Sequence, residues 1–126
     1  MDVNYDLRRL TPGERLWVWR AGSIVPGGAT QEAAARSLGV HPDTYQAAER
    51  DRVALPCPID DKTLRTWLTL PIALRLCRRR YGHGSRVTAA VLGYGSHVAL
   101  LKAEKKGDRA LLAAWRRLGF KGFPNR

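Results

Sequence analysis

Thr30-Gln31-Glu32-Ala33-Ala34-Ala35-Arg36-Ser37-Leu38-Gly39-Val40, running on into His41-Pro42-Asp43-Thr44-Tyr45-Gln46-Ala47-Ala48-Glu49-Arg50, decides how the chain folds. Thr30 suits a helix N-cap, Gly39 suits a left-handed residue after a helix, and Pro42 stands where the first residue of a second helix tolerates it. The stretch predicts a short helix, a turn and a second helix. Ser85-Arg86-Val87-Thr88-Ala89-Ala90-Val91-Leu92-Gly93-Tyr94, followed by Ser96-His97-Val98-Ala99-Leu100-Leu101-Lys102-Ala103-Glu104-Lys105, repeats the pattern.

The repetition extends outward in register. Leu10-Thr11 matches Leu68-Thr69, Leu16 matches Leu74, Val18 matches Leu76 and Arg20 matches Arg78, each pair 58 positions apart. Leu38-Gly39 and Leu92-Gly93 lie 54 apart, so the first copy carries four extra residues in its first loop. Glu49 and Glu104 lie 55 apart, which places one extra residue in the second copy's turn, at Tyr94-Gly95. Both changes fall in loops, where a structural repeat tolerates them.

The flanking elements also read as helices. Thr11-Pro12-Gly13-Glu14 has an N-cap, a proline at the first helical position and an acid at the third. Asp61 or Thr63 starts a helix containing Leu64 and Trp67, and Pro71 borders the next, which carries Leu74, Leu76 and Cys77. Asp108 caps a last helix, Ala110 to Leu118, with Leu111, Leu112, Trp115 and Leu118 at helical spacing. Trp17 and Trp19 cannot share one helix face, which predicts one in the core and one at an interface; Trp67 and Trp115 read as core. No alternating pattern of useful length occurs. The expected class is all-α, with a first module over 1–55, a linker over 56–63 (two prolines, two aspartates), a second module over 64–120 and a tail over 121–126.

A chain of 126 residues with 44% hydrophobic content folds, and its net charge of +11 asks for a partner. That charge is uneven. Residues 1–63 hold eight Lys/Arg against nine Asp/Glu; residues 64–126 hold fourteen against two. No apolar run approaches the ~20 residues that span a bilayer, and Met1–Asp6 does not read as a signal peptide. Cys57 and Cys77 alone make neither a disulfide framework nor a metal site; reduced thiols in a cytoplasmic protein are expected, with Cys77 on an apolar helix face. His41, His83 and His97 lack ligand spacing with cysteines or acids. No phosphate-binding glycine loop, activated nucleophile or carboxylate pair is present, so no enzyme, catalytic residue, metal or cofactor is expected.

The stretch Thr30-Gln31-Glu32-x-x-Ala35-x-x-Leu38-Gly39-Val40, with Thr44-Tyr45-x-x-x-Glu49-Arg50, resembles the Cro/CI-type (lambda-repressor-like, xenobiotic-response-element) helix-turn-helix family. Leu74-Arg75-Leu76-x-Arg78-Arg79-Arg80 through Leu92-Gly93 and Ala103-Glu104-Lys105-Lys106-Gly107 resembles a more divergent copy. The resemblance implies two tandem lambda-repressor-like helix-turn-helix modules, each placing its third helix in the major groove of DNA. It implies a phosphate contact at the start of the second helix, which falls on Gln31 in copy one and Ser85 in copy two, with Arg86 as substitute where the glutamine is absent. The recognition helices would present His41, Asp43, Thr44 and Gln46, and Ser96, His97, Ala99 and Lys102.

The cations then matter by position. Arg78, Arg79, Arg80, Arg86, Lys102, Lys105 and Lys106 flank the second copy where a duplex backbone would pass, and phosphate contacts supply most of the affinity. His97 and Lys102 suit guanine O6 and N7, and Gln46 suits adenine. Asp43 repels phosphate although it can accept from cytosine N4, and Glu49 is expected to bond within its module. The reading is a sequence-specific, nucleoid-associated transcriptional regulator of double-stranded DNA, its two units reaching major-groove faces about 34 Å apart. The alternatives are a DNA-architectural or recombination accessory protein, and an adaptor contacting RNA polymerase or a partner regulator. The 108–118 helix either closes the second module or forms a homodimer interface.

Overall fold

The computed structural model describes Leu7, residues 10–22 and residues 30–119. Among these the chain is all-helical: α1 (Pro12–Gly22), α2 (Gln31–Leu38), α3 (Pro42–Glu49), α4 (Asp61–Trp67), α5 (Leu70–Tyr81), α6 (Ser85–Leu92), α7 (His97–Lys106) and α8 (Arg109–Arg117). The expected tail, 121–126, lies outside the described residues, as does the loop around Pro26-Gly27-Gly28. The helices fall into two units, Leu7–Leu68 and the unit beginning at Thr69.

Local chemistry sets the ends of these helices. At α1, Glu14 N–H donates to Thr11 Oγ1 and Thr11 N–H donates to Glu14 Oε1, a reciprocal capping box. Thr30, Asp60, Ser96 and Asp108 each accept a backbone N–H at the start of α2, α4, α7 and α8. Gly39 and Gly93 end α2 and α6 with φ of 68° and 86°, a conformation that costs a side chain and that glycine adopts freely. The residue after each, Val40 or Tyr94, donates back to the carbonyl of Ala35 or Ala89.

In the first unit α1 packs on α3 and α4, and α2 packs on α3. Leu16, Trp19, Ala33, Ala34, Ala35, Tyr45 and Ala48 form the core. The three alanines are what let α2 approach closely. Tyr45 is fully buried, with its ring tilted 57° to that of Trp19 at 6.3 Å. Trp17 and Trp19 are both buried, and Trp19 belongs to this core cluster. Trp67 is half-buried against the core rather than inside it.

The stretch expected as a linker closes this unit. Leu55, Cys57 and Ile59 pack against its core, and Leu64 and Leu68 are buried. The helix α4 therefore joins the first unit, and the division falls at Leu68/Thr69 rather than at 63/64. Prolines and aspartates suit a packed surface loop as well as a linker, and composition does not separate the two.

In the second unit α5 packs on α6, α7 and α8, and α6 packs on α7 and α8. Leu74, Leu76, Cys77, Leu100, Leu111 and Trp115 are fully buried. The Trp115 ring meets Tyr81 edge-on at 5.6 Å. Leu111, Leu112, Ala114 and Trp115 of α8 are all buried, while Leu118 just past its end is exposed. Burial pushes the Cys77 thiol up to about 12 and raises that of Cys57, and no disulfide joins them.

Candidate nucleic-acid interface

Each unit is braced by one arginine–glutamate pair, at the positions that match in register. Arg20 Nε donates to Glu49 Oε2 at 2.7 Å and Arg20 Nη2 to Oε1 at 3.1 Å. Arg78 does the same to Glu104, at 2.6 and 3.1 Å. Both carboxylates are 2% exposed, so each needs its fork of donors to be tolerated. These bonds tie α1 to α3 and α5 to α7, and so fix the third helix of each unit on its first.

Burial alone would push the Glu49 carboxyl up, but hydrogen bonds from Arg20, Tyr45 and Gln31 outweigh it and hold the group below the ordinary carboxylate range. Burial and the neighbouring carboxylate raise Tyr45 and keep it protonated.

Two of the expected DNA contacts also bond to these glutamates. Arg78 has its guanidinium on Glu104, which offsets part of its charge within the unit while its side chain stays partly exposed. Gln31, at the start of α2, donates from Nε2 to Glu49 Oε1 at 3.0 Å, which orients its amide. Glu49 bonds within its unit, as its position suggested.

The remaining expected residues sit as follows. On α3, Asp43 and Thr44 are exposed and Gln46 is half-buried. His41 precedes α3 and caps it, its Nδ1 accepting from Asp43 N–H at 3.1 Å. With Nδ1 an acceptor, the 3.8 Å approach of Asp43 Oδ2 to the same nitrogen is not an ion pair. In the second unit Ser85 and His97 are half-buried, while Arg86, Ser96, Ala99, Lys102, Lys105 and Lys106 are exposed. Ser96 Oγ accepts from Ala99 N–H and caps α7. Arg79 and Arg80 are half-buried on the last turn of α5, where a cation also complements the helix dipole.

Sequence reasoning passed over Val98 and Leu101. Apolar residues on a short helix read as core, yet these are 51% and 38% exposed. The matching helix held the signal: Tyr45 and Leu100 share a register position and are both fully buried, so Asp43 and Gln46, flanking Tyr45, mark the positions of Val98 and Leu101 as outward.

Every exposed position on α6 and α7 is either cationic or apolar: Arg86, Val87, Ala90 and Val91, then Val98, Ala99, Leu101, Lys102, Lys105 and Lys106. Their one acid, Glu104, is buried against Arg78. On α2 and α3 the exposed set includes Glu32 and Asp43. Recut at the observed boundary, residues 7–68 carry nine Lys/Arg against seven Asp/Glu, and residues 69–126 carry thirteen against two.

Elsewhere, an open and mostly apolar groove is bordered by Pro12, Val53, Leu55 and Pro56, with Asp51 and Arg52 at its edge; its lining includes no nucleophile. Among the described residues no cluster of His, Cys, Asp and Glu could hold a metal ion, and no helix is long and apolar enough to cross a membrane. No family model, characterised protein or solved structure matches the chain.

Proposed function

We propose that the chain is a sequence-specific regulator that binds double-stranded DNA through tandem helix-turn-helix units of the Cro/CI type. The unit from Thr69 onward makes the principal contact. The observation that carries this reading is the acid-free exposed surface of α6 and α7, set in a region of thirteen Lys/Arg and two Asp/Glu. A duplex is the polyanion that suits a helix presented in this way, because the major groove admits one helix while the backbone meets the cations beside it. In this reading α7 lies in the groove, Arg86 meets phosphate at the start of α6, and Lys102, Lys105 and Lys106 meet phosphate or guanine.

The first unit supports a second role. Glu32 and Asp43 face solvent on α2 and α3, and carboxylates there weaken the hold on phosphate. This surface suits a basic partner protein, such as a subunit of the transcription machinery or a partner regulator, with the second unit holding the DNA.

Binding to a duplex pool, measured between low and moderate salt, tests the reading. Affinity should fall linearly on a log–log scale, and Lys102→Glu with Arg86→Glu should flatten the slope by about one unit for each phosphate no longer neutralised. Affinity independent of salt contradicts it.

A further inference from the structure

Among the described residues six large apolar side chains stand exposed: Val53, Val87, Val91, Val98, Leu101 and Leu118. Single exposed apolar residues are ordinary, but four of these six lie on the two adjacent helices α6 and α7. On α7, Val98, Leu101, Lys102 and Lys105 are spaced i, i+3, i+4 and i+7, which places them on one helix face. Two apolar groups are therefore followed by two ammonium groups along the face that the proposed function puts into the groove. In the first unit the positions of Val98, Ala99 and Leu101 are held by Asp43, Thr44 and Gln46, which are hydrogen-bonding side chains.

Resting on the DNA-binding reading above, we propose that Val98 and Leu101 read the C5-methyl groups of thymine, so that the second unit selects its site by apolar contact rather than by hydrogen bonds. The thymine methyl is the apolar group that a base pair projects into the major groove, and a branched aliphatic side chain has only this feature to match. The short side chain of Ala99, between them in sequence, gives the helix room to approach. Lys102 and Lys105 on the same face supply the charge complementarity that commits this surface to a nucleic acid. A protein partner would be expected to bring hydrogen-bond acceptors or carboxylates to the lysines and to cover Val87 and Val91 as well.

The test uses the full chain and a random duplex pool. Bound duplexes are selected, then resynthesised with deoxyuridine in place of thymidine, which removes the methyl and leaves base pairing intact. Each methyl that is touched is expected to contribute roughly fourfold, so the deoxyuridine duplex should bind roughly fifteenfold more weakly when two are removed. The Val98→Ala/Leu101→Ala chain should bind the thymidine duplex about as weakly, and should no longer distinguish the two duplexes, which is the signature of direct coupling. Both side chains are exposed, and unchanged circular dichroism checks the fold of the variant. Equal binding of both duplexes by the unsubstituted chain overturns the methyl reading while leaving DNA binding intact. Failure to bind any duplex overturns the proposed function itself. A self-association that disappears in the double variant, with duplex discrimination unchanged, assigns the face to a second copy of the chain and overturns the inference.

Discussion

Glu32 and Arg86 occupy the same second position of matching helices, and Asp43 and Val98 the same position of the helices that follow. Inside, the two units agree: Arg20–Glu49 and Arg78–Glu104 join the same helices with the same fork of hydrogen bonds. Outside, they diverge at these exposed positions. The buried pair sets how the third helix lies on the first, and the exposed residues are left to set the partner. Arg86 makes the difference quantitative. A cation in the first turn of a helix opposes the helix dipole, at a cost of about 0.3–1 kcal/mol, where Glu32 gains a similar amount. A residue that costs stability at its own position is better explained by what it contacts.

The largest effects should come from breaking the shared interior. Glu49→Ala or Glu104→Ala leaves a half-buried arginine without its counter-charge and should destabilise the affected unit by about 3 kcal/mol. Glu49→Ala should be the more severe, because it also strands the Gln31 amide. Chemical denaturation followed by NMR signals from each unit reads the two separately. The same pair makes the first unit sensitive to acid. The folded pKa of Glu49 lies below its unfolded value, so its contribution is complete above the ordinary carboxylate range, about 4.3, and is lost as pH falls through the folded value. Glu49→Gln should be less stable at neutral pH and should flatten this acid dependence, as thermal melts from neutral to strongly acidic pH would report.

A smaller effect separates the two interiors. A Cβ on Gly13 would overlap the carbonyl oxygens of Glu49 and Ala48, where the start of α1 meets the end of α3. Gly13→Ala should cost the first unit about 1–3 kcal/mol, as over-packing does. The matching residue of the second unit is Pro71, and there the close approach is made by Gly107 instead, whose Cβ would stand 3.2 Å from Pro71 Cδ. Pro71→Ala, which removes atoms from that approach, should therefore cost the second unit less in the same denaturation assay. Smallest of all, Arg86→Glu should raise the stability of the second unit by about 0.6–2 kcal/mol while weakening its hold on DNA. Opposite signs in a melt and a binding curve distinguish a functional cation from a merely solvated one.

The helices were legible in the sequence because their caps are local. Thr11, Thr30, Asp108 and the two turn glycines act within three residues of where they stand. The matched Arg20/Arg78 and Glu49/Glu104 spacings were visible too, although not as partners. That pairing spans 29 residues in one unit and 26 in the other, and only the packing of α1 on α3 and α5 on α7 brings it together. The boundary was hidden for a related reason: whether Pro56 and Pro58 lie in a linker depends on Leu55, Cys57 and Ile59 finding a core to rest on. Val98 and Leu101 escaped notice because an apolar residue in a helix reads as buried unless the helix's outward face is already known.

The most direct test compares the two units on DNA. Arg86→Glu with Lys102→Glu alters the second unit, and Arg36→Glu with Arg50→Glu alters exposed cations of the first by the same charge. Duplex affinity should fall by at least tenfold, with a flatter salt dependence, for the second-unit pair, and should change by less than threefold for the first-unit pair. Equal losses from the two pairs, or a larger loss from the first, would contradict the assignment of DNA contact to the second unit.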